Sequence, residues 1–170
     1  VFRKEGSGTL TLSGASTHSG NTEVLAGSLV VNESLSDSTV VDVSSGAIYT
    51  LGKSDTIGGL KGAGSVDLNS KELTVSQSAS EATFSGIISG STSISHLKKA
   101  GSGTLILSGS NTYEGDTFVD AGELSVSGSL ASASVTCSGS GTSNLCTPSP
   151  SPSPSPSPSP SPSPSPSPEP

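Results

Sequence analysis

The 170-residue chain contains part of itself twice. The stretch KEGSGTLTLSGASTHSGNTEVLAGSLVV, residues 4–31, returns as KAGSGTLILSGSNTYEGDTFVDAGELSV, residues 99–126, at a constant offset of 95 and without a gap. When the comparison runs on from 4–40 against 99–135, 20 of 37 positions are identical. A gapless internal repeat of this kind confines the chain to stacked architectures, in which each unit packs mainly on its neighbours.

The pattern of change between the copies gives the secondary structure. Leu10, Leu12, Val24, Ala26, Leu29 and Val31 recur as Leu105, Leu107, Val119, Ala121, Leu124 and Val126. Between them lie free positions: Thr11 against Ile106, Glu23 against Phe118, Leu25 against Asp120, Val30 against Ser125. Fixed and free positions alternate at a spacing of two, as in a strand with one face buried and the other in water. Gly6, Gly8, Gly14, Gly20 and Gly27 recur as Gly101, Gly103, Gly109, Gly115 and Gly122, between the strand-like runs, where corners are expected. No stretch carries a helical period. The prediction is an all-β coil of short strands, a β-solenoid.

The same residues, written K-x-G-x-G-T-L-x-L-S-G-x-N-T-Y-x-G-x-T-x-V-x-x-G-x-L-x-V, resemble the passenger-associated transport repeat, also called the autotransporter-associated β-strand repeat. Residues 99–126 match almost position by position. Residues 4–31 depart at Ser16 and His18, where the second copy has Asn111 and Tyr113. The resemblance covers about residues 3–136. It implies a right-handed parallel β-helix exported to the bacterial surface or secreted, as the passenger of an autotransporter or adhesin, and it brings no catalytic residues with it.

Between the repeats, strand-like runs are predicted at 39–43, 47–51, 56–60, 65–68, 72–75, 83–88 and 93–97, parted by turn pairs such as Ser45-Gly46, Gly58-Gly59, Asn69-Ser70 and Ser89-Gly90. With roughly 20 residues per turn, residues 1–147 make about seven turns, and a strand spacing of about 4.8 Å makes the rod on the order of 35 Å long. The domain organisation that follows is a solenoid over 1–136, a Cys-bounded loop over 137–147 and a Ser-Pro linker over 148–170. All 12 prolines lie at or beyond Pro148. Alternating Ser-Pro lacks half its N–H donors, so a disordered, polyproline-II-like stalk is expected there, with serines suited to O-glycosylation. Cys137 and Cys146 flank CSGSGTSNLC; they read as a disulfide that clasps the last turn, the alternative being two free thiols.

Composition narrows the function. Aromatic residues make up 3% of the chain, enough for a narrow core lined by Leu, Val, Ile and Ala but not for a conventional globular one. The net charge of −7, with seven scattered Lys and Arg, argues against nucleic acid as a partner. No apolar run is long enough to cross a membrane as a helix. The chain reads as a piece of a longer polypeptide.

No motif announces chemistry. No G-x-S-x-G, P-loop or calcium-roll pattern is present, and no cofactor or metal is implied. Glu114, Asp116, Asp120 and Glu123 offer several oxygens, as Ca²⁺ requires, but the first copy has Ser19, Asn21, Leu25 and Ser28 there, and a solvated turn is the better reading. His18 stands where the second copy has Tyr113 and reads as a flat side chain packed at a corner. Asn32-Glu33-Ser34 fits the N-glycosylation pattern, and Thr9 and Thr11 form a T-x-T that Ile106 breaks in the second copy. The candidate outward binding face is Ile106, Tyr113 and Phe118; stacking against neighbouring turns is the alternative. The expected role is a non-catalytic display rod or adhesive surface for glycans or proteins of host or neighbouring cells. Alternatives are a cell-wall glycoprotein scaffold and, less favoured, a polysaccharide-degrading β-helix enzyme.

Overall fold

The computed structural model describes residues 1–78 and 80–146; the Ser-Pro tract lies outside them. The chain winds as a parallel β-solenoid with three sides. The first sheet stacks Phe2–Lys4, Thr22–Val24, Val40–Val43, Gly59–Gly62, Glu81–Phe84, Thr104–Leu107, Glu123–Val126 and Thr142–Ser143. The second stacks Thr9–Leu12, Ser28–Val31, Ile48–Leu51, Ser65–Asp67 and Ile87–Ser89, and the pair Ser110–Asn111 and Ser129–Leu130 follows it. The third stacks Asp55–Ile57, Glu72–Ser76, His96–Ala100, Thr117–Val119 and Val135–Cys137. Eight strands on the first sheet delimit seven turns.

Two of the predicted single strands are in fact two strands each. Residues 56–60 divide at Gly58 and residues 83–88 divide at Gly86, because the chain turns a corner there. At both glycines a Cβ would run into the backbone of the turn below, Ser38 under Gly58 and Gly64 under Gly86. An apolar run that crosses a corner looks continuous in sequence when both of its arms face the core.

Register puts like side chains on top of each other. On the second sheet Leu10, Leu29, Tyr49, Val66 and Ile88 form one inward column. On the first sheet Val24 pairs with Val43, and Phe84 with Leu107 and then Val126. All of these but Leu10 are buried. Leu10 is 37% exposed, in the first turn, where no strand of the described residues lies beneath it. Each fully buried Val, Leu, Ile or Phe contributes roughly 1.5–3 kcal/mol. The outward positions bear little: Arg3–Glu23 and Lys61–Asp42 are ion pairs between successive turns, at 2.7 and 3.0 Å, in water that screens them.

The offset of 95 is not a whole number of turns. The first repeat opens at Lys4 on the first sheet, and the second opens at Lys99 on the third, four turns and two sides further on. Equivalent outward residues of the two repeats therefore point in different directions.

Cys137 and Cys146 are joined, with Cα atoms 6.0 Å apart. The bridge ties the end of the third sheet to the segment after Thr142–Ser143, and Cys137 packs on the core beside Val135. Closing a loop of this length contributes roughly 2–3 kcal/mol. Reduction is expected to lower the unfolding free energy by about that amount. Hydrogen exchange should quicken in 135–146 while 40–107 keep their protection; uniform quickening along the whole rod would contradict the local role.

Candidate functional site

The expected outward trio does not come together. Ile106 lies on the first sheet, opposite Thr83 and Ser125, and it is half-buried. Phe118 lies on the third sheet, opposite Lys98 and Thr136. Tyr113 is not outward at all: its side chain is 0% exposed. The parity of the strand explains the correction. Tyr113 follows Asn111 by two positions and precedes Thr117 by four, and both of those are buried.

That inward triplet is a polar stitch through the core wall. Asn111 accepts the Ile88 N–H at 3.0 Å from the turn below and donates to the Ser129 carbonyl at 3.2 Å in the turn above. The Tyr113 hydroxyl and Thr117 Oγ1 are 2.6 Å apart, and Thr117 donates to Ser132 at 2.9 Å. Burial pushes the Tyr113 phenol above its ordinary pKa. In the first repeat His18 does the same work: Nε2 lies 2.8 Å from Thr22 Oγ1 and Nδ1 lies 2.6 Å from Ser16 Oγ. Its ring also meets Phe2, with centroids 5.6 Å apart. His18 is thus a corner side chain in place of a tyrosine, bonded on both ring nitrogens.

Lys4 and Lys99 are the residues that sequence reasoning passed over. Both face inward and are buried. Lys99 sits in an apolar column between Val75 and Val119. Its ammonium donates to the carbonyls of Ala100, Gly101 and Ala121 at 2.6, 2.8 and 3.2 Å. Lys4 repeats the cage with Glu5, Gly6 and Ala26 at 3.0, 2.7 and 2.9 Å. The signal was present in the parity, since Lys99 stands two positions after the buried Leu97. These lysines hold corners together and face no solvent.

The outward surface of the third sheet has a different character. Successive strands present Ser54 and Thr56, Glu72 and Thr74, His96 and Lys98, then Asp116 and Phe118. His96 Nδ1 accepts the Asp116 N–H at 2.9 Å, and its ring lies 5.7 Å from the Phe118 ring at an angle of 58°. Lys98 pairs with Asp120 at 2.6 Å; the bond raises the lysine pKa and, with a second bond from Ser138, holds the carboxyl below its usual range. At the lower end of this sheet a hollow of about 270 Å³ is lined by Ser34, Asp37, Ser54, Asp55, Thr56 and Glu72, among others. Asp55 is spoken for: it accepts the Leu35 and Thr56 N–H groups at 3.0 and 2.9 Å, and burial raises its pKa against them.

The four acidic residues of the second repeat are dispersed. Asp116 accepts from Ser134 at 2.6 Å, Asp120 pairs with Lys98, Glu123 lies 3.5 Å from Thr104, and Glu114 lines a separate hollow with Asp67. Among the described residues no group of three or more His, Cys, Asp or Glu side chains converges on a metal site.

The comparisons agree with this geometry. The model of the passenger-associated transport repeat matches twice, over residues 2–31 and 97–126. This chain carries two passenger-associated transport repeats. An alignment 139 positions long, which covers 71% of the chain, is 40% identical to the adhesin BmaC autotransporter of Brucella suis biovar 1 (strain 1330). A shorter match, 58% identical over 36 residues and 21% of the chain, is to an extracellular serine protease of Serratia marcescens. The chain spans only 4% and 3% of the lengths of these two relatives. No solved structure matches it. The two repeats begin on different sheets of the rod, the first and the third, and the segment between them supplies turns of the same solenoid.

Proposed function

We propose that this chain is a non-catalytic passenger segment of adhesin type, exposed on or released from a bacterial surface, where it serves as a rigid rod that displays an adhesive side. The observation that carries the reading is the combination of two transport repeats with the 40% likeness to an adhesin autotransporter across most of the solenoid. The physical design supports it. Inward columns are fixed between repeats while outward columns vary, so the surface is free to be shaped for a partner without cost to the core. The winding we assign is right-handed, the hand that parallel crossovers almost always take. The partners we assign are glycans or proteins of host or neighbouring cells, with neither nucleic acid nor membrane insertion by this segment.

Cells displaying the full chain on their surface should adhere to animal-cell monolayers or to cells of their own kind, and cells displaying a variant that cannot fold should not. Equal adherence of the two, or none by either, would sink the reading.

A further inference from the structure

The second repeat carries an aromatic residue at an outward position where the first has none. Where the second repeat has Phe118, the first has Glu23. Glu23 and Phe118 both sit in strands paired in register with the turn below, Glu23 opposite Arg3 and Phe118 opposite Lys98. Glu23 lies on the first sheet and Phe118 on the third, so the comparison shows only that the repeat pattern itself takes a non-aromatic residue at this position. Phe118 and His96 form an aromatic pair, and the imidazole is fixed from behind by the Asp116 N–H at 2.9 Å. In the neutral ring that bond leaves the proton on Nε2, as a donor.

The surroundings define what fits there. Below the two rings, Thr74 stands opposite Lys98 and Glu72 opposite His96, and the hollow of about 270 Å³ opens beneath them. Lys98, the basic group beside the rings, is engaged by Asp120 at 2.6 Å. An aromatic shelf with hydroxyls and carboxylates along one line, and its lysine already paired, is complementary to a ligand with an apolar C–H face, many hydroxyls and no negative charge. Phosphate and uronate groups would meet Glu72 and Asp37 without a free cation to balance them.

We propose that the third sheet of the solenoid binds a neutral glycan, with one sugar ring stacked on Phe118 and flanked by the inclined His96 ring, and the chain running over Thr74 and Glu72 toward the hollow. The proposal rests on the adhesive reading above and gives it a ligand class and a place. The rings supply stacking area, the carboxylate of Glu72 accepts sugar hydroxyls, and His96 Nε2–H donates to a ring or glycosidic oxygen.

The test uses the full chain and titration calorimetry with neutral hexasaccharides from β-glucan, mannan and chitin, with uronate oligosaccharides and a lysine-rich peptide alongside. The variants are F118E, which installs the residue of the first repeat, and H96V, which removes the imidazole, with F118W as the conservative change and I106T as the control on another sheet. At least one neutral hexasaccharide should bind. F118E and H96V should each weaken it about tenfold or more, as for an aromatic anchor at the centre of a contact, while F118W and I106T keep it. Glycan binding that survives F118E and H96V would overturn the site and leave the adhesive reading standing. Salt-sensitive binding of the lysine-rich peptide alone would overturn the ligand class. If the folded chain binds none of the probes, the proposal fails, and the adherence assay then decides the wider reading separately.

Discussion

Gly109→Ala is expected to destabilise the solenoid by at least about 3 kcal/mol, while Gly14→Ala, the same change at the equivalent position of the first repeat, stays within about 0.5 kcal/mol. Gly14 follows a strand of the second sheet and Gly109 a strand of the first, and they differ in what lies under them. A Cβ on Gly109 would be driven into the carbonyl oxygen of Gly86, and the same holds up the corner: Gly86 stands over Gly64, and Gly128 over Gly109. None of these four has a positive φ, so the requirement is close approach between turns and not a special backbone conformation. The turns cannot part to make room, because hydrogen-bonded strands hold them about 4.8 Å apart on the neighbouring sheets. Gly14 has nothing within 4 Å of its would-be Cβ. Urea unfolding of both variants checks the pair, and an equal loss in each would show that the corner glycine acts through its own backbone.

Lys99→Met should cost about 2–4 kcal/mol, since it leaves three carbonyls of the corner without their shared donor. The methionine keeps the apolar stem between Val75 and Val119, so the loss reports the ammonium rather than a cavity. The pH dependence carries a second signature. Burial draws Lys99 down from 10.5 to about 8. The folded chain then releases this proton at lower pH than the unfolded chain does. Between pH 8 and 10.5 the unfolded state therefore holds more protons, and the contribution of Lys99 to stability rises with pH. Tyr49 and Tyr113 oppose it at the upper end, because burial raises both phenols and only the unfolded chain ionises them near pH 10. The comparison of wild type with K99M over pH 7–9.5 removes that effect. Stability of the wild type should climb relative to the variant across this window; a flat or falling difference would contradict the lowered pKa and show that the three carbonyls keep the ammonium charged.

Much of this molecule was legible in the sequence because its repeat compares two solutions to the same folding problem. Positions that stay the same, such as Leu105, Leu124 and Val119, are core, and all three are buried. The turn number and the linked cysteines follow from spacing and loop composition. The corners were harder. Gly58 and Gly86 sit inside apolar runs, and nothing in a window of five residues tells a strand that bends from one that continues. Tyr113 was misplaced because its size and hydroxyl suit a surface, while its parity with Asn111 put it inside. The buried lysines ran against the general tendency of charged groups to stay in water; only the three carbonyls, brought together from two turns, explain them. The His96–Phe118 pair could not be read at all, because its partners are 22 residues apart and meet only when the third sheet forms.

The most direct test of the central claim is a polysaccharide array probed with the full chain, on which retained protein and released reducing ends are read from the same spots. A non-catalytic adhesive rod gives saturable retention on some surfaces and no release above that from buffer alone. Release of sugar ends would contradict it; a folded chain retained nowhere would remove glycans as its partners and leave the adherence assay to decide between a protein partner and none.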